Sequence, residues 1–326
     1  MNPQPLIPLP LNLTPFEWRA IQPSDLPGIQ AMLAASREAD QVDKATSEER
    51  LAQILGMLGE QLDQHSRIAL SPDGRVAAAA MLLPLPGSQP PLAMIEGNVH
   101  VDFRGLGIGS YLLAWMEARA RQAFAAAGIT SPVTLRGSCR VQQINRATFF
   151  TDHGFEVVRY AYQMRRTLEI PIPEAALPEG LRWETWSPEL DPRVMTAFNL
   201  AFQGHFGLPE MDPEAWSKFF TGVPQFRGDL SLVALDGVAI AGFCINWVAD
   251  REGWIEAIGV LPSWRGQGVA SALMARSLRQ FRSAGLNYAG LDVDTQNPTG
   301  ALRLYKKFGF AVRKEIHVYH KHLGQG

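Results

Sequence analysis

The stretch Val260-Leu261-Pro262-Ser263-Trp264-Arg265-Gly266-Gln267-Gly268-Val269-Ala270-Ser271 decides how the rest of the chain reads. An apolar strand pattern over 254–260 runs into Arg-Gly-x-Gly-x-Ala, which opens an amphipathic segment over 271–281. Small residues at 266, 268 and 270 let successive backbone N–H groups crowd together and point outward. These groups are also the unpaired donors of a helix N-terminus, where the helix dipole is positive. The amides of Arg265, Gly266, Gln267, Gly268, Val269, Ala270 and Ser271 are therefore expected to cradle a phosphate or diphosphate without any catalytic side chain. Plain tight turns and dinucleotide folds make such a turn as well, so one occurrence carries little. It occurs twice: Arg104-Gly105-Leu106-Gly107-Ile108-Gly109 follows an apolar strand pattern over 92–101 and opens a helix pattern reaching about 127.

The rest of the chain repeats around these two loops. Asp73-Gly74 matches Asp236-Gly237 as a hairpin turn, and Gly154-Phe155 matches Gly309-Phe310 before the closing strands. Between the halves, residues 170–180 (Ile-Pro-Ile-Pro-Glu-Ala-Ala-Leu-Pro-Glu-Gly) read as a linker. A repeat this long is a duplicated domain and not a solenoid. Two tandem domains are expected, 1–170 and 178–326, each of α/β class with a mixed, mostly antiparallel sheet flanked by helices. Within the first, a helix is expected over 47–62 with Ser47 as its cap, a Pro-rich loop over 84–91, and a strand pair after Gly154 reaching Thr167.

At 326 residues, with 46% hydrophobic and 19% charged residues and a formal net charge of −2, the chain has a globular composition. No basic run points to nucleic acid, and no apolar run is long enough for a membrane span. The N-terminus lacks a basic segment and is rich in proline, unlike a secretion signal, so a cytoplasmic protein is expected. Cys139 and Cys244, one in each half and each in an apolar stretch, read as buried free thiols. His317, His320 and His322 lack a carboxylate or thiol set and read as a solvated strand end, so no metal site is expected. Trp216, Phe219 and Phe220 at helical spacing read as core.

Two signatures in the second half resemble the GNAT acetyltransferase superfamily. One is Val260-x4-Arg265-Gly-Gln-Gly-Val-Ala270; the other is Asn297-Pro-Thr-Gly-Ala-Leu-Arg-Leu-Tyr305-Lys-Lys-Phe-Gly309-Phe310. The run Ala197-Phe-Asn-Leu-Ala-Phe-Gln-Gly-His-Phe-Gly207 is also similar to a stretch early in the second domain of one tandem member. The resemblance implies acetyl-CoA as donor, with its diphosphate on the second loop and its pantetheine along Ile258, Gly259 and Val260. It also implies that Asn297 bonds CoA or caps the last helix, and that Val99 and Val101 with residues 104–109 form an equivalent CoA site in the first domain. A rival dinucleotide fold is disfavoured, because no third glycine follows Gly268 at the required spacing.

Acetyl transfer to an amine requires that the ammonium lose a proton, that the developing oxyanion be stabilised, and that the departing thiolate be protonated. Glu256 lies four residues before Val260 and so shares its strand face; with the resemblance, it is the expected base. Tyr305, four residues before Gly309, occupies the family's general-acid position, and a phenol of pKa about 10 carries the proton it would donate. Gly259 is expected to allow close approach, with its amide and that of Val260 on the acetyl carbonyl. The acceptor is expected to be a small-molecule amine, an aminosugar–cysteine conjugate being one form and a peptide N-terminus an alternative. His205, Glu210, Asp212 and Glu214 fall where acceptor pockets form in relatives. A monomer or homodimer is expected, and a CoA-binding regulatory protein without turnover is the alternative of another class.

The first half departs at the reactive positions. Phe150 stands where the second half has Tyr305, and Glu96 is an odd three residues before Val99, on the opposite face unless a bulge near Gly97 intervenes. The first domain is therefore expected to be structural or pseudo-catalytic, holding CoA without turnover.

Overall fold

The computed structural model describes residues 7–37, 39–40, 51–52, 55–56, 58–85, 87–206, 208–249, 251–296 and 300–324. The helix expected over 47–62 falls largely outside these residues, as do Ser47 and Asn297. The chain folds as two compact units, Met1–Val158 with Val318–Gly326, and Arg159–His317.

The first unit runs β1 (Glu17–Arg19), α1 (Leu26–Ala35), α2 (Leu62–His65), β2 (Ser66–Leu70), β3 (Val76–Leu85), β4 (Leu92–Val99), α3 (Ile108–Ala126), β5 (Val133–Arg140) and α4 (Ile144–Asp152). Next comes β6 (Glu156–Thr167), a single strand and not the pair expected there. The second unit repeats the order: β7 (Leu181–Thr185), α5 (Asp191–Ala201), α6 (Pro213–Trp216), β8 (Leu232–Asp236), β9 (Ala239–Ala249), β10 (Glu252–Val260), α7 (Val269–Ser283), β11 (Tyr288–Asp294), α8 (Ala301–Lys307) and β12 (Ala311–Leu323). β3 extends into the expected Pro-rich loop, with Pro84 opposite Ala93, and β4 ends at Val99 while Val101 starts a 3-10 turn.

Each sheet is antiparallel except at one pair. In the first unit the order is β1-β2-β3-β4-β5-β12, with β4 and β5 parallel. In the second it is β7-β8-β9-β10-β11-β6, with β10 and β11 parallel. The ends do not follow chain order. β6 leaves the first unit at Val158, and residues 161–167 pair antiparallel with β11; the last residues of β12, from Val318, belong to the first unit.

The long helix after each loop supplies the apolar face that holds its sheet. Leu112, Leu113, Met116, Ala120 and Phe124 recur at helical spacing in α3, and all are buried with β3, β4 and β5. α7 buries Val269, Leu273, Met274, Leu278 and Phe281 against one face of the second sheet. α5 and α6 cover its other face with Val194, Phe198 and Trp216, and Phe220 joins them from the turn after α6. Burying each such side chain stabilises the fold by about 1.5–3 kcal/mol. The rigid sheet between two cores is what holds the ends of β10 and β11 in place.

Candidate active site

The site of the second unit begins where two parallel strands separate. β10 and β11 pair at Glu252↔Tyr288, Gly253↔Ala289 and Trp254↔Gly290, and then diverge. Residues 255–260 of β10 keep β9 as a neighbour on one edge and, among the described residues, have no strand on the other. A backbone edge so exposed offers N–H and C=O groups to an extended ligand. At the point of divergence the register against β9 slips between Ile255 and Ala257, leaving Glu256 as the extra residue of a β-bulge. The alternation of faces changes there: Ile255, Ile258 and Val260 pack with the α7 core, Trp254 and Ala257 with the α5 core. Glu256 is half-buried. Bulges re-aim side chains, and this one falls on the carboxylate that the spacing had singled out.

β10 ends in a locked corner. The Arg265 guanidinium donates from Nε to the Val260 carbonyl at 3.1 Å and from Nη2 to the Ala201 carbonyl at 3.1 Å, and its amide donates to Pro262 O at 3.2 Å. Arg265 therefore frames the loop and spends its own donors doing so. Gly266 and Gly268 have φ of +77° and +90°, a region open to glycine at little cost, and Gly268 is the residue from which α7 starts. Among the described residues, no acceptor takes the amides of residues 266–271. Six successive free amides at the positive end of a 15-residue helix fit a diphosphate.

A Cβ at Gly259 would lie 2.4 Å from the Phe243 ring and 3.2 Å from Ala201, so the missing side chain admits a core phenyl ring.

Tyr305 lies on α8, 7% exposed, within the α7 core and edge-on to Phe310 at 6.2 Å. Burial, with the nearby Cys244 sulfur adding to it, pushes the phenol well above its ordinary pKa. It stays protonated throughout the neutral range, as a proton donor must. Cys244 lies on β9 opposite Ile258 of β10. Its sulfur accepts from Ser277 Oγ at 3.2 Å and faces Asn246 Oδ1 at 3.4 Å, and burial pushes the thiol to about 12. A thiol that holds its proton is not a nucleophile. Cys139, also buried, is likewise pushed up by desolvation.

Beyond the diverging strands lies a group that sequence reasoning missed. Arg159, on β6, sits 4.0 Å from the Asp294 carboxylate, hydrogen-bonds Gln296, and covers the Phe206 ring at 4.5 Å. The His205 ring is tilted against Phe202 at 4.8 Å, and burial pushes its imidazole below the usual value. No local signal brings β6 here, because pairing with β11 bridges more than a hundred residues of sequence. His205 was flagged by sequence. Glu210 is exposed, and Asp212 caps α6 by accepting from the Ala215 amide at 2.8 Å. Glu214 is exposed on that helix.

The first unit repeats the frame. β4 and β5 pair only at Leu92↔Thr134, Ala93↔Leu135 and Met94↔Arg136 before diverging. The Arg104 guanidinium donates to Val99 O at 3.1 Å, as Arg265 does to Val260 O, and also pairs with Asp40 at 2.8 Å. Gly105 and Gly107 have φ of +77° and +86°. The carbonyl of Leu106 accepts from Asn12 Nδ2 at 2.8 Å, and Ile108 and Gly109 open α3. β4 pairs with β3 without any slip, so Glu96 keeps its odd offset and faces away from Val99. Its carboxylate is held by Arg146 at 2.9 Å. Phe150 is a core ring, 5.0 Å from both Phe155 and Tyr319.

Of the three late histidines, His322 is exposed as expected, whereas His317 and His320 are half-buried. His320 Nε2 accepts from Arg136 Nε at 3.0 Å, and His322 Nδ1 meets Thr134 Oγ1 at 2.9 Å, fastening β12 to β5. His317 lies 3.3 Å from Glu315 and edge-on to Tyr160. Among the described residues no group of three His, Cys, Asp or Glu could hold a metal ion, and no helix is long and apolar enough to cross a membrane.

A model of the acetyltransferase (GNAT) family matches residues 30–155 and again 192–310. The mycothiol acetyltransferase of Thermobispora bispora is 30% identical over 304 residues, covering 88% of this chain and 93% of that protein. That of Salinispora arenicola is 31% identical over 306 residues, covering 90% and 93%. Among solved structures, a GCN5-related N-acetyltransferase from Sphaerobacter thermophilus superimposes with a TM-score of 0.80 at 30% identity, over 97% of each chain. A tandem GNAT protein from the clavulanic acid biosynthesis pathway shares the fold with a TM-score of 0.66 at 16% identity, over 95% of this chain and 99% of that one.

Proposed function

The chain belongs to the acetyltransferase (GNAT) family and is an acyltransferase, and from that premise we propose that its second unit transfers acetyl from acetyl-CoA to the primary amine of a small molecule. The observation that carries this reading is the meeting, in one unit, of a split strand edge with a bulged Glu256 and a helix N-terminus with six free amides. The amides of residues 266–271 take the diphosphate of CoA, and the free edge of residues 258–260 takes the pantetheine. Bound acetyl-CoA supplies an activated thioester. Glu256 removes a proton from the acceptor ammonium, directly or through a water molecule. The amine nitrogen then forms its bond to the acetyl carbon as the carbon–sulfur bond breaks, and Tyr305 protonates the leaving sulfur. Direct transfer is supported by the burial of the Cys244 thiol, which pushes it up to about 12.

The first unit lacks the means for these steps, having Phe150 and an Arg-bound Glu96 in the matching places. The acceptor is proposed to be an aminosugar–cysteine conjugate, in keeping with two relatives called mycothiol acetyltransferase that span nearly the whole chain. Arg159, Asp294, His205 and Phe206 would then face the acceptor. The test is kcat/KM for amine-dependent thiol release across glucosaminyl-cysteine conjugates, simple amino sugars and peptide N-termini. The conjugate should win clearly, and preference for a peptide would contradict the proposed acceptor.

A further inference from the structure

The frames of the two units can be matched residue by residue from their arginine clasps and closing glycines, and the match places an arginine where a ligand should lie. Val99 and Val260 each stand five residues before the arginine that clasps their carbonyl, so Gly97 corresponds to Ile258. Counting back eight residues from Gly154 and from Gly309 pairs Arg146 with Ala301. In the second unit, no described strand pairs with the edge at Ile258, and the residue matching Arg146 is an alanine. In the first, Arg146 reaches back from α4 across the gap between β4 and β5.

Its contacts are those of an occupant. Nη1 donates to the Gly97 carbonyl at 3.2 Å and to Asn98 Oδ1 at 3.3 Å, and Nη2 pairs with Glu96 at 2.9 Å. Gly97 lies beyond Met94, the last residue of β4 to pair with β5, so this carbonyl belongs to the split edge. The guanidinium also lies 5.6 Å from the centre of the Phe150 ring, and its side chain is only 19% exposed. A second ring narrows the cleft at the loop. A Cβ on Gly109 would lie 3.3 Å from Phe149, which itself stacks on His153 at 4.2 Å, and His153 holds Ser110 Oγ at 2.9 Å. The counterparts of Phe149 and His153 in the second unit are Leu304 and Phe308, and Phe308 is buried in the core.

We propose that Arg146, helped by Phe149, is a built-in occupant of the first unit's cleft, which takes the place of pantetheine and limits the chain to one acyl-CoA. A protein interior has no room for both a guanidinium and a thioester arm on one carbonyl edge. The arginine has the planar donor set needed to bond the strand carbonyl, the Asn98 amide and a carboxylate together, which lysine could not copy. The loop of residues 105–110 thus keeps the shape of an anion cradle after the rest of its site has been filled. This rests on the proposed CoA site of the second unit, which serves as the reference.

Calorimetric titration of the full chain with CoA reads the claim. The wild-type protein should take one CoA per chain, Arg146→Ala should take two, and Ala301→Arg should take none. Acetyl transfer by Arg146→Ala should stay at the wild-type rate, since the second unit is untouched. The Ala301→Arg variant makes the test independent of whether Arg146→Ala folds well. Two CoA per wild-type chain, no gain in a folded Arg146→Ala, or retained binding in Ala301→Arg would each overturn the inference. Two CoA with amine-dependent thiol release intact would leave the proposed function standing. One CoA with no thiol release would remove that function and leave the plugged cleft.

Discussion

β4 and β10 leave their parallel neighbours after three paired residues, and each ends on a valine whose carbonyl an arginine holds at 3.1 Å. Between these fixed points they differ by one residue. β10 carries an extra residue at Glu256, whereas β4 runs in unbroken register and spends Glu96 on Arg146. On the short helix before the closing strand, Tyr305 in one unit stands where the other has Phe150. The arginine-framed glycine loop is thus present in both units, whereas the bulged Glu256 and the Tyr305 hydroxyl are present in the second alone.

The largest effect expected from breaking this contrast is on chemistry. Tyr305→Phe gives the second unit the residue of the first and should lower kcat by about a hundredfold or more. Phe150→Tyr should leave kcat unchanged, because no base accompanies it. Steady-state thiol release measures both, and equal effects of the two changes would erase the distinction between the units.

A smaller effect concerns packing under the two edges. Gly259→Ala pushes a methyl group to 2.4 Å from the Phe243 ring, whereas the nearest atom to a methyl group in Gly97→Ala is Ala80 Cβ at 3.4 Å. The first should cost about 1–3 kcal/mol in urea unfolding and the second less than about 1 kcal/mol. If both cost the same, the glycine of β10 serves some purpose other than admitting that ring.

The smallest expected effect is a difference in acid sensitivity. His65 and His320 both belong to the first unit and are both pushed to about 4. Burial is the main cause for each, with Arg119 adding for His65, and Arg136 and His322 for His320. A folded pKa below the unfolded value of about 6.5 means that the unfolded chain binds the proton more readily. The stability from keeping these rings neutral is full above about pH 6.5 and is lost as pH falls towards 4. His65→Gln should flatten the fall in melting temperature between pH 7 and pH 5. An unchanged slope would assign the acid sensitivity elsewhere.

Much of the fold and site was legible because it is written locally. The two loops, the hairpin turns, Glu256 and Tyr305 are each recognisable within a dozen residues. The spacing argument that set Glu96 aside holds, since β4 has no bulge. The slip at Glu256 had no such signal, because a bulge depends on the partner strand, here β9. The place of β6 beside β11 was hidden for the same reason, and with it the position of Arg159. Arg146 carries no local signal of its role, because the Gly97 carbonyl that it bonds lies 49 residues earlier. The late histidines read as solvated because their partners, Thr134 and Arg136, lie more than 180 residues earlier.

The claim that acetyl transfer belongs to the second unit alone is tested most directly by measuring single-turnover transfer in Glu256→Gln beside Glu96→Gln. Glu256→Gln should slow transfer by about a hundredfold while still binding one CoA per chain, and Glu96→Gln should match the wild type. Wild-type transfer in Glu256→Gln, or an equal loss in Glu96→Gln, would contradict it.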